Sequence, residues 1–269
     1  MDLLLEAGVL GLLVGSVMAL TGAGGGVLAA PLLMLVLHLS PSEATPIALV
    51  AVGAAAWLGA WLGWRERVLR YRAAALIGGI AAVTAPLGVW LSHQVPGQWL
   101  KAALVAVLGW TCLRMARMAW QRTPPDTREL AYRPCQFNPE KGQLHWTAPC
   151  ARALAGTGAS AGLLSGLLGV GGGFIIVPAL SRHSTLDVRH ITATSLAVTA
   201  VATLSGWLSA LHFGSVNVPV ALCFGGAAMA AMLLGQRFAA QLPARWVQTG
   251  LAVLAGGLGV RLLVNLLMP

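Results

Sequence analysis

The sequence predicts an all-α, polytopic membrane protein built from two homologous repeats, residues 11–114 and 158–261. Three observations carry this. The 269-residue chain is 57% hydrophobic and only 9% charged, whereas a soluble domain carries roughly 25% charged residues. A single offset of 147 residues maps one half of the chain onto the other. Finally, a glycine-rich break occurs once in each half, Gly22-Ala23-Gly24-Gly25-Gly26 before Pro31 and Gly169-Val170-Gly171-Gly172-Gly173 before Pro178, each inside a long apolar run.

The repeat extends well beyond the breaks. Without a gap the offset takes Gly11 to Gly158, Gly15 to Gly162, Thr45 to Thr192, Gly59 to Gly206, Gly78-Gly79 to Gly225-Gly226, Trp99 to Trp246 and Arg114 to Arg261. One register over this length is an internal duplication. It divides the chain into a transmembrane repeat at 1–119, a polar cytoplasmic linker at 120–153 and a second transmembrane repeat at 154–269.

Taken in order, residues 3–20 are apolar and long enough to span. Their acidic start (Asp2, Glu6) and lack of Lys or Arg argue against a cleaved signal peptide. Their recurrence inside the chain places them in the fold. Residues 27–38 would reach only about 18 Å as a helix, short of a hydrocarbon core of about 30 Å, and so predict a half-helix. A polar corner, Ser40-Pro41-Ser42-Glu43, precedes a span at 45–64, whose Trp57, Trp61 and Trp64 suit an interfacial belt. A dense basic loop at 65–72 follows, then spans at 73–92 and 99–118. In the linker, residues 136–146 place turn residues between short alternating arms, which predicts a small β-hairpin. The second repeat supplies apolar segments at 154–168, 174–181, 192–211, 219–236 and 246–267.

Charge placement bears on topology. With five membrane segments per repeat the second repeat lies inverted. The loops at 65–72, 114–152, 181–190 and 237–245 then share one face and hold four, seven, two and two basic residues, 15 of the 17 Lys and Arg in the chain. With four spans per repeat the halves are parallel and 12 of 17 fall on one side. The positive-inside rule favours the inverted 5+5 arrangement. The net charge of +9 sits in these loops, so it marks membrane orientation rather than nucleic-acid binding.

In hydrocarbon, irregular backbone is tolerated only inside protein or beside a watery cavity. Consecutive glycines permit positive φ and a close approach to the main chain. The half-helix after each break turns its free N–H groups and positive dipole end towards it. An anion can be held there without a buried cation. The candidate binding residues are therefore Gly22, Gly24, Gly25, Gly26, Gly169, Gly171, Gly172 and Gly173. Hydroxyls join them from Thr192, Ser195 and Thr199, at helical spacing after the second break, and from Thr45, the repeat partner of Thr192. Thr203, Ser16 and Thr21 are weaker candidates. Such hydroxyls also bond back to their own helix, and glycines such as Gly11, Gly15, Gly78, Gly79 and Gly109 suit plain helix packing.

The doubled Gly-x-Gly-Gly-Gly-x-x-x-x-Pro pattern, Ala193-Thr194-Ser195-Leu196 and the linker run Phe137–Thr147 resemble the TauE/SafE family, the sulfite exporter-like permeases. The resemblance covers essentially the whole chain. It implies a secondary transporter, exporter or permease, for sulfite, an organosulfonate or a related small anion. It also implies an inner (plasma) membrane location, with the lipid bilayer as partner, no cofactor and no enzymatic activity. This sequence departs from a symmetric site, with Ala44-Thr45-Pro46-Ile47-Ala48 opposite Ile191-Thr192-Ala193-Thr194-Ser195.

His38, His93, His145, His183, His190 and His212 lie near span ends or in the linker, not in the mid-span pairs a membrane haem needs. No carboxylate is central, so proton coupling has no assigned carrier. Cys112, Cys135, Cys150 and Cys223 form no CxxC pair. On a cytoplasmic linker Cys135 and Cys150 are expected to be reduced. With His145 they could form a weak metal or sulfur-handling site, or be ordinary linker cysteines. The rival function is accordingly a membrane-embedded sulfur-transfer or redox protein using those thiols.

Overall fold

The computed structural model describes residues 2–120, 135–138, 143–144, 147–211, 217–239 and 244–267. In the first repeat α1 covers Asp2–Thr21, and a 3₁₀ segment, Gly22–Leu28, leads into α2, Ala29–Val36. Helices α3 (Pro41–Arg65), α4 (Tyr71–Gln94) and α5 (Gly97–Trp120) complete it. The second repeat consists of α6 (Ala148–Leu168), α7 (Gly173–His183), α8 (Val188–Ala210), α9 (Val218–Ala239) and α10 (Ala244–Leu267). Among the described residues seven helices, α1, α3, α4, α5, α8, α9 and α10, are long and apolar enough to cross a membrane.

Local chemistry sets the boundaries. Ser40 caps α3, its N–H donating to the Glu43 carboxylate at 3.0 Å, with Pro41 at the first helical position. Glu43 is thereby a capping group. Helix α6 starts at Thr147, whose hydroxyl accepts from the Cys150 N–H at 3.3 Å, and ends at Gly169 in the left-handed conformation. Large apolar side chains such as Leu5, Val83, Leu113 and Val253 face outwards. The helix seams are filled by small residues, the pattern of packing in lipid. Trp57, Trp61 and Trp64 are exposed on α3, and the Arg65 guanidinium lies 5.1 Å from the Trp61 ring centre.

The packing is reciprocal between halves. Gly11 and Gly15 of α1 lie against the Phe224 and Ala228 carbonyls of α9, while Gly158 and Gly162 of α6 lie against the Ile77 and Ala81 carbonyls of α4. Each member of the second pair is the first moved by the same offset. Helices α3 and α8 run antiparallel: Gly53 packs on Thr203, Gly59 on Leu196 and Gly63 on Ala193, with Gly206 on Leu49 in return. Helices α5 and α10 do the same, through Leu108 with Gly259 and Cys112 with Gly256.

The short segments differ from each other. The expected half-helix at 27–38 is realised as α2, but the glycines before it wind into a 3₁₀ segment instead of opening. Together they reach about 26 Å at 2.0 and 1.5 Å per residue. Helix α7, with 11 residues, reaches about 17 Å: it starts inside, at buried Gly173, and ends at exposed Arg182 and half-buried His183.

In the linker, Phe137–Asn138 (β1) pairs antiparallel with Gln143–Leu144 (β2). The turn between them, His145 and His212 lie outside the described residues. Cys135 forms a parallel bridge with Ser184, its N–H donating to the His183 carbonyl at 3.0 Å. The expectation of reduced linker thiols is overturned: Cys135 and Cys150 form a disulfide, with Cα atoms 5.0 Å apart. Both residues are fully buried, which keeps reductants away from the sulfurs. The free cysteines are Cys112 and Cys223. Thiol titration of the denatured, unreduced protein should therefore count two thiols. Replacing both bonded cysteines with alanine, which opens a 15-residue loop, should cost about 3 kcal/mol of stability, read as a lower thermal midpoint in detergent.

Candidate functional site

The two breaks meet inside the protein. A Cβ added at Gly26 would sit 2.9 Å from the Val170 carbonyl oxygen and 3.0 Å from Val52 Cγ1, and one added at Gly171 would sit 2.6 Å from the same Val52 atom and 3.2 Å from Thr199 Cγ2. Val52 and Thr199 are repeat partners near the middle of the α3–α8 seam. Gly25 rests on the main chain of α1 at Val17 and Met18, and Gly172 on the Ala161 carbonyl of α6. Gly24 faces Thr21, and Gly173 is buried as the first residue of α7.

The outer ends of the breaks are locked crosswise. Gly22 abuts Thr192 and Gly169 abuts Thr45, partner for partner under the repeat offset. Gly22 has φ +74° and Gly169 φ +68°, while Gly171 and Gly172 have φ +75° and +67°. The second break therefore carries three left-handed glycines and the first carries one. Only the second is an opened loop that ends at the N-terminus of an α-helix. The Ile175 and Ile176 N–H groups donate to the Gly172 carbonyl at 3.0 and 3.4 Å, so the N–H groups left without an acceptor inside α7 are those of its first two residues, Gly173 and Phe174, at the positive end of the helix dipole.

The hydroxyls divide the same way. Thr45 is buried and donates to the Pro41 carbonyl at 2.8 Å; Thr203 donates to the Thr199 carbonyl at 2.7 Å. Ser16 and Thr21 likewise bond back to Leu12 and Val17. Ser195 and Thr199, by contrast, are fully buried with hydroxyl oxygens that have no protein partner. So is Ser165, one helical turn before Gly169 on α6. A buried hydroxyl without a partner costs about 1–3 kcal/mol. Ser165 lies one helical turn before the second break and Thr199 packs on Gly171, while Ser195 sits on α8 between Thr199 and Thr192, the residue that abuts Gly22.

Sequence reasoning missed Ser165 because its repeat partner is Met18, so the duplication does not flag it. Its spacing of four from Gly169 was the available signal. The repeat partners of Ser195 and Thr199 are Ala48 and Val52, so the donors belong to the second repeat alone. Thr192 is half-buried and opens onto a cavity at the basic face. Among the described residues no group of three or more His, Cys, Asp or Glu could hold a metal ion.

A bundle of membrane-crossing helices enclosing two interrupted ones, with donors but no buried acid or base at the interruption, is the architecture of a membrane transporter. The family model described as Sulfite exporter TauE/SafE matches residues 7–262. The chain belongs to this family, and it is a multi-pass membrane transporter, not an enzyme. It is 30% identical over 192 residues to a probable membrane transporter protein of Xylella fastidiosa strain 9a5c, covering 68% of this chain and 65% of that one. The matched stretch is thus just under two thirds of that relative's length. A second Xylella fastidiosa protein of the same description, from strain Temecula1, is 29% identical over 79% of this chain and 76% of its own. The probable membrane transporter protein YdhB of Bacillus subtilis is 23% identical over 86% of this chain and 88% of its own. No solved structure matches at a significant level.

The crosswise glycine contacts are unequal in a testable way. A Cβ at Gly22 would meet the Thr192 methyl at 2.7 Å, whereas one at Gly169 would meet the Thr45 Cα at 2.8 Å. Either alanine also costs about 1–2 kcal/mol for the left-handed backbone. Thr192→Ser should restore part of the thermal stability lost in Gly22→Ala, because it removes the clashing methyl. Thr45→Ser should restore none in Gly169→Ala, because the clash there is with main chain.

Proposed function

We propose that the protein is a secondary transporter of a small sulfur-containing anion, sulfite or an organosulfonate, held at the second glycine break by Ser165, Ser195, Thr199 and the N-terminal N–H groups of α7. The observation that carries this reading is a set of buried hydroxyls without protein partners: Ser165 one turn before that break, Thr199 packed on Gly171, and Ser195 one turn from Thr199. An oxyanion supplies the acceptors they lack, and its charge is met by the helix dipole with no buried cation. The family's name supports sulfite or a related anion as cargo.

Alternating access is the proposed cycle, with the two repeats inverted in the inner membrane. The antiparallel α3–α8 seam and the reciprocal contacts support inversion, because homologous helices that cross in opposite directions belong to oppositely oriented halves. The four basic connections then share the cytoplasmic face. Direct contact agrees: Arg189, at the start of α8, pairs with Glu66 after α3 at 3.1 Å. The rival sulfur-transfer reading needs free linker thiols, and Cys135 and Cys150 are bonded to each other.

Ser195→Ala and Thr199→Val separate transport from folding. Each removes a hydroxyl that bonds nothing in the protein, so the thermal midpoint should hold or rise. Each also removes one donor to a charged ligand, worth about 1.5–3 kcal/mol, so anion flux into proteoliposomes should fall roughly tenfold to a hundredfold. A screen over sulfite, sulfonates, thiosulfate and sulfate, with and without a pH gradient, identifies the cargo and its coupling. Unchanged flux for every one of these anions in both variants would refute the assigned site.

A further inference from the structure

Between the C-terminal end of α3 and the N-terminal end of α8 lies a cavity of about 270 Å³. Glu66, Arg189, Thr192 and Gln236 supply its polar lining, and Ala19, Gly59, Gly63 and Leu196 much of its wall. Thr192 belongs to two structures at once: it lines this cavity, and its methyl is the group that blocks a side chain at Gly22. The cavity thus leads from the basic face to the outer end of the first break.

The charges at its mouth are not symmetric with the other half of the protein. The repeat partner of Arg189 is Ser42 and that of Glu66 is Phe213, so the ion pair exists at this face alone. Both partners are largely exposed, with side chains 78% and 56% accessible. A pair this exposed contributes little stability, and exchanging its carboxylate for another anion therefore meets little resistance. The surrounding loop carries Arg65, Arg67, Arg70 and Arg72, a field that raises the local concentration of small anions. A volume of this size holds a small anion with several waters still attached, since one water needs only about 10–15 Å³ of such space.

The geometry points to a loading vestibule for small oxyanions at the basic face, in which Arg189 exchanges Glu66 for the incoming anion and passes it towards Thr192 and Gly22. The fork of Arg189 suits a planar pair of oxygens on a sulfonate or sulfite group. Glu66 acts as the internal competitor, holding Arg189 in place when no anion is present. The assignment rests on the transport reading, but it concerns Arg189 and Glu66 at the mouth, with Arg189 six residues along α8 before Ser195 and ten before Thr199.

The vestibule can be tested without measuring transport. Gln236→Cys, in a Cys112→Ala/Cys223→Ala background reconstituted in nanodiscs, places one reactive thiol in the cavity wall. Its labelling rates with sulfonatoethyl methanethiosulfonate and with trimethylammonioethyl methanethiosulfonate are followed by mass. Arg189→Gln should lower the ratio of anionic to cationic labelling roughly tenfold, and Glu66→Gln should raise it by a similar factor. Methanesulfonate should slow labelling when Arg189 is present and not in Arg189→Gln. A thiol that neither reagent reaches, a ratio indifferent to Arg189, or a shift in the same direction for both variants overturns the vestibule. Those outcomes leave the transport reading standing if Ser195→Ala and Thr199→Val abolish flux, and a null result with those variants leaves the vestibule standing.

Discussion

Everything in this protein follows from the need to satisfy a broken backbone where no water is available to do it. Two chain interruptions sit between helices that cross the membrane, and each is sheltered by the other repeat. Gly26 lies against the Val170 carbonyl, and Gly171 against Val52 and Thr199. The breaks survive because they are packed against one another inside protein, the one setting in which membrane-depth irregularity is tolerated. Glycine is required there twice over. The left-handed backbone at Gly22, Gly169, Gly171 and Gly172 excludes most residues, and close neighbours, side chains at Gly22 and Gly171 and main chain at Gly169 and Gly172, leave no room for a Cβ.

From that constraint the division of labour follows. The first break is wound into a 3₁₀ segment, Gly22–Leu28, whose main-chain hydrogen bonds are made within it. The second is opened by three left-handed glycines and ends at a helix N-terminus whose Ile175 and Ile176 N–H groups turn back on the Gly172 carbonyl. Among the described residues the buried hydroxyls without partners all belong to the second half of the chain, and their counterparts Met18, Ala48 and Val52 are apolar. A duplicated scaffold has thus kept its symmetry in packing and given it up in chemistry.

Much of this was legible in the sequence. The offset of 147 pairs glycines that make corresponding contacts in the two halves, and the polar corner Ser40–Glu43 and the break at Gly169 both fell at helix ends. Comparing the two halves also showed that hydroxyls such as Ser195 and Thr199 have apolar counterparts, Ala48 and Val52. What the sequence hid were facts of orientation. Nothing in the spacing distinguishes Thr45, which bonds back to Pro41, from Thr199, which bonds nothing. Ser165 was invisible because its partner is Met18. The Cys135–Cys150 disulfide was hidden for a different reason: the basic loops point to a reducing compartment, and only the fold shows that both sulfurs are brought together and buried.

The crosswise lock has a consequence for how such a protein can change over time. Gly22 is fitted to Thr192 and Gly169 to Thr45, so each half supplies the surface against which the other half is moulded. After the duplication the two copies were never free to drift apart as separate domains do. A change at one end of the gene is judged by residues encoded at the other, while pairs free of that lock, such as Met18/Ser165 and Ala48/Ser195, differ between the halves. Those few positions are where a common scaffold can acquire a new cargo.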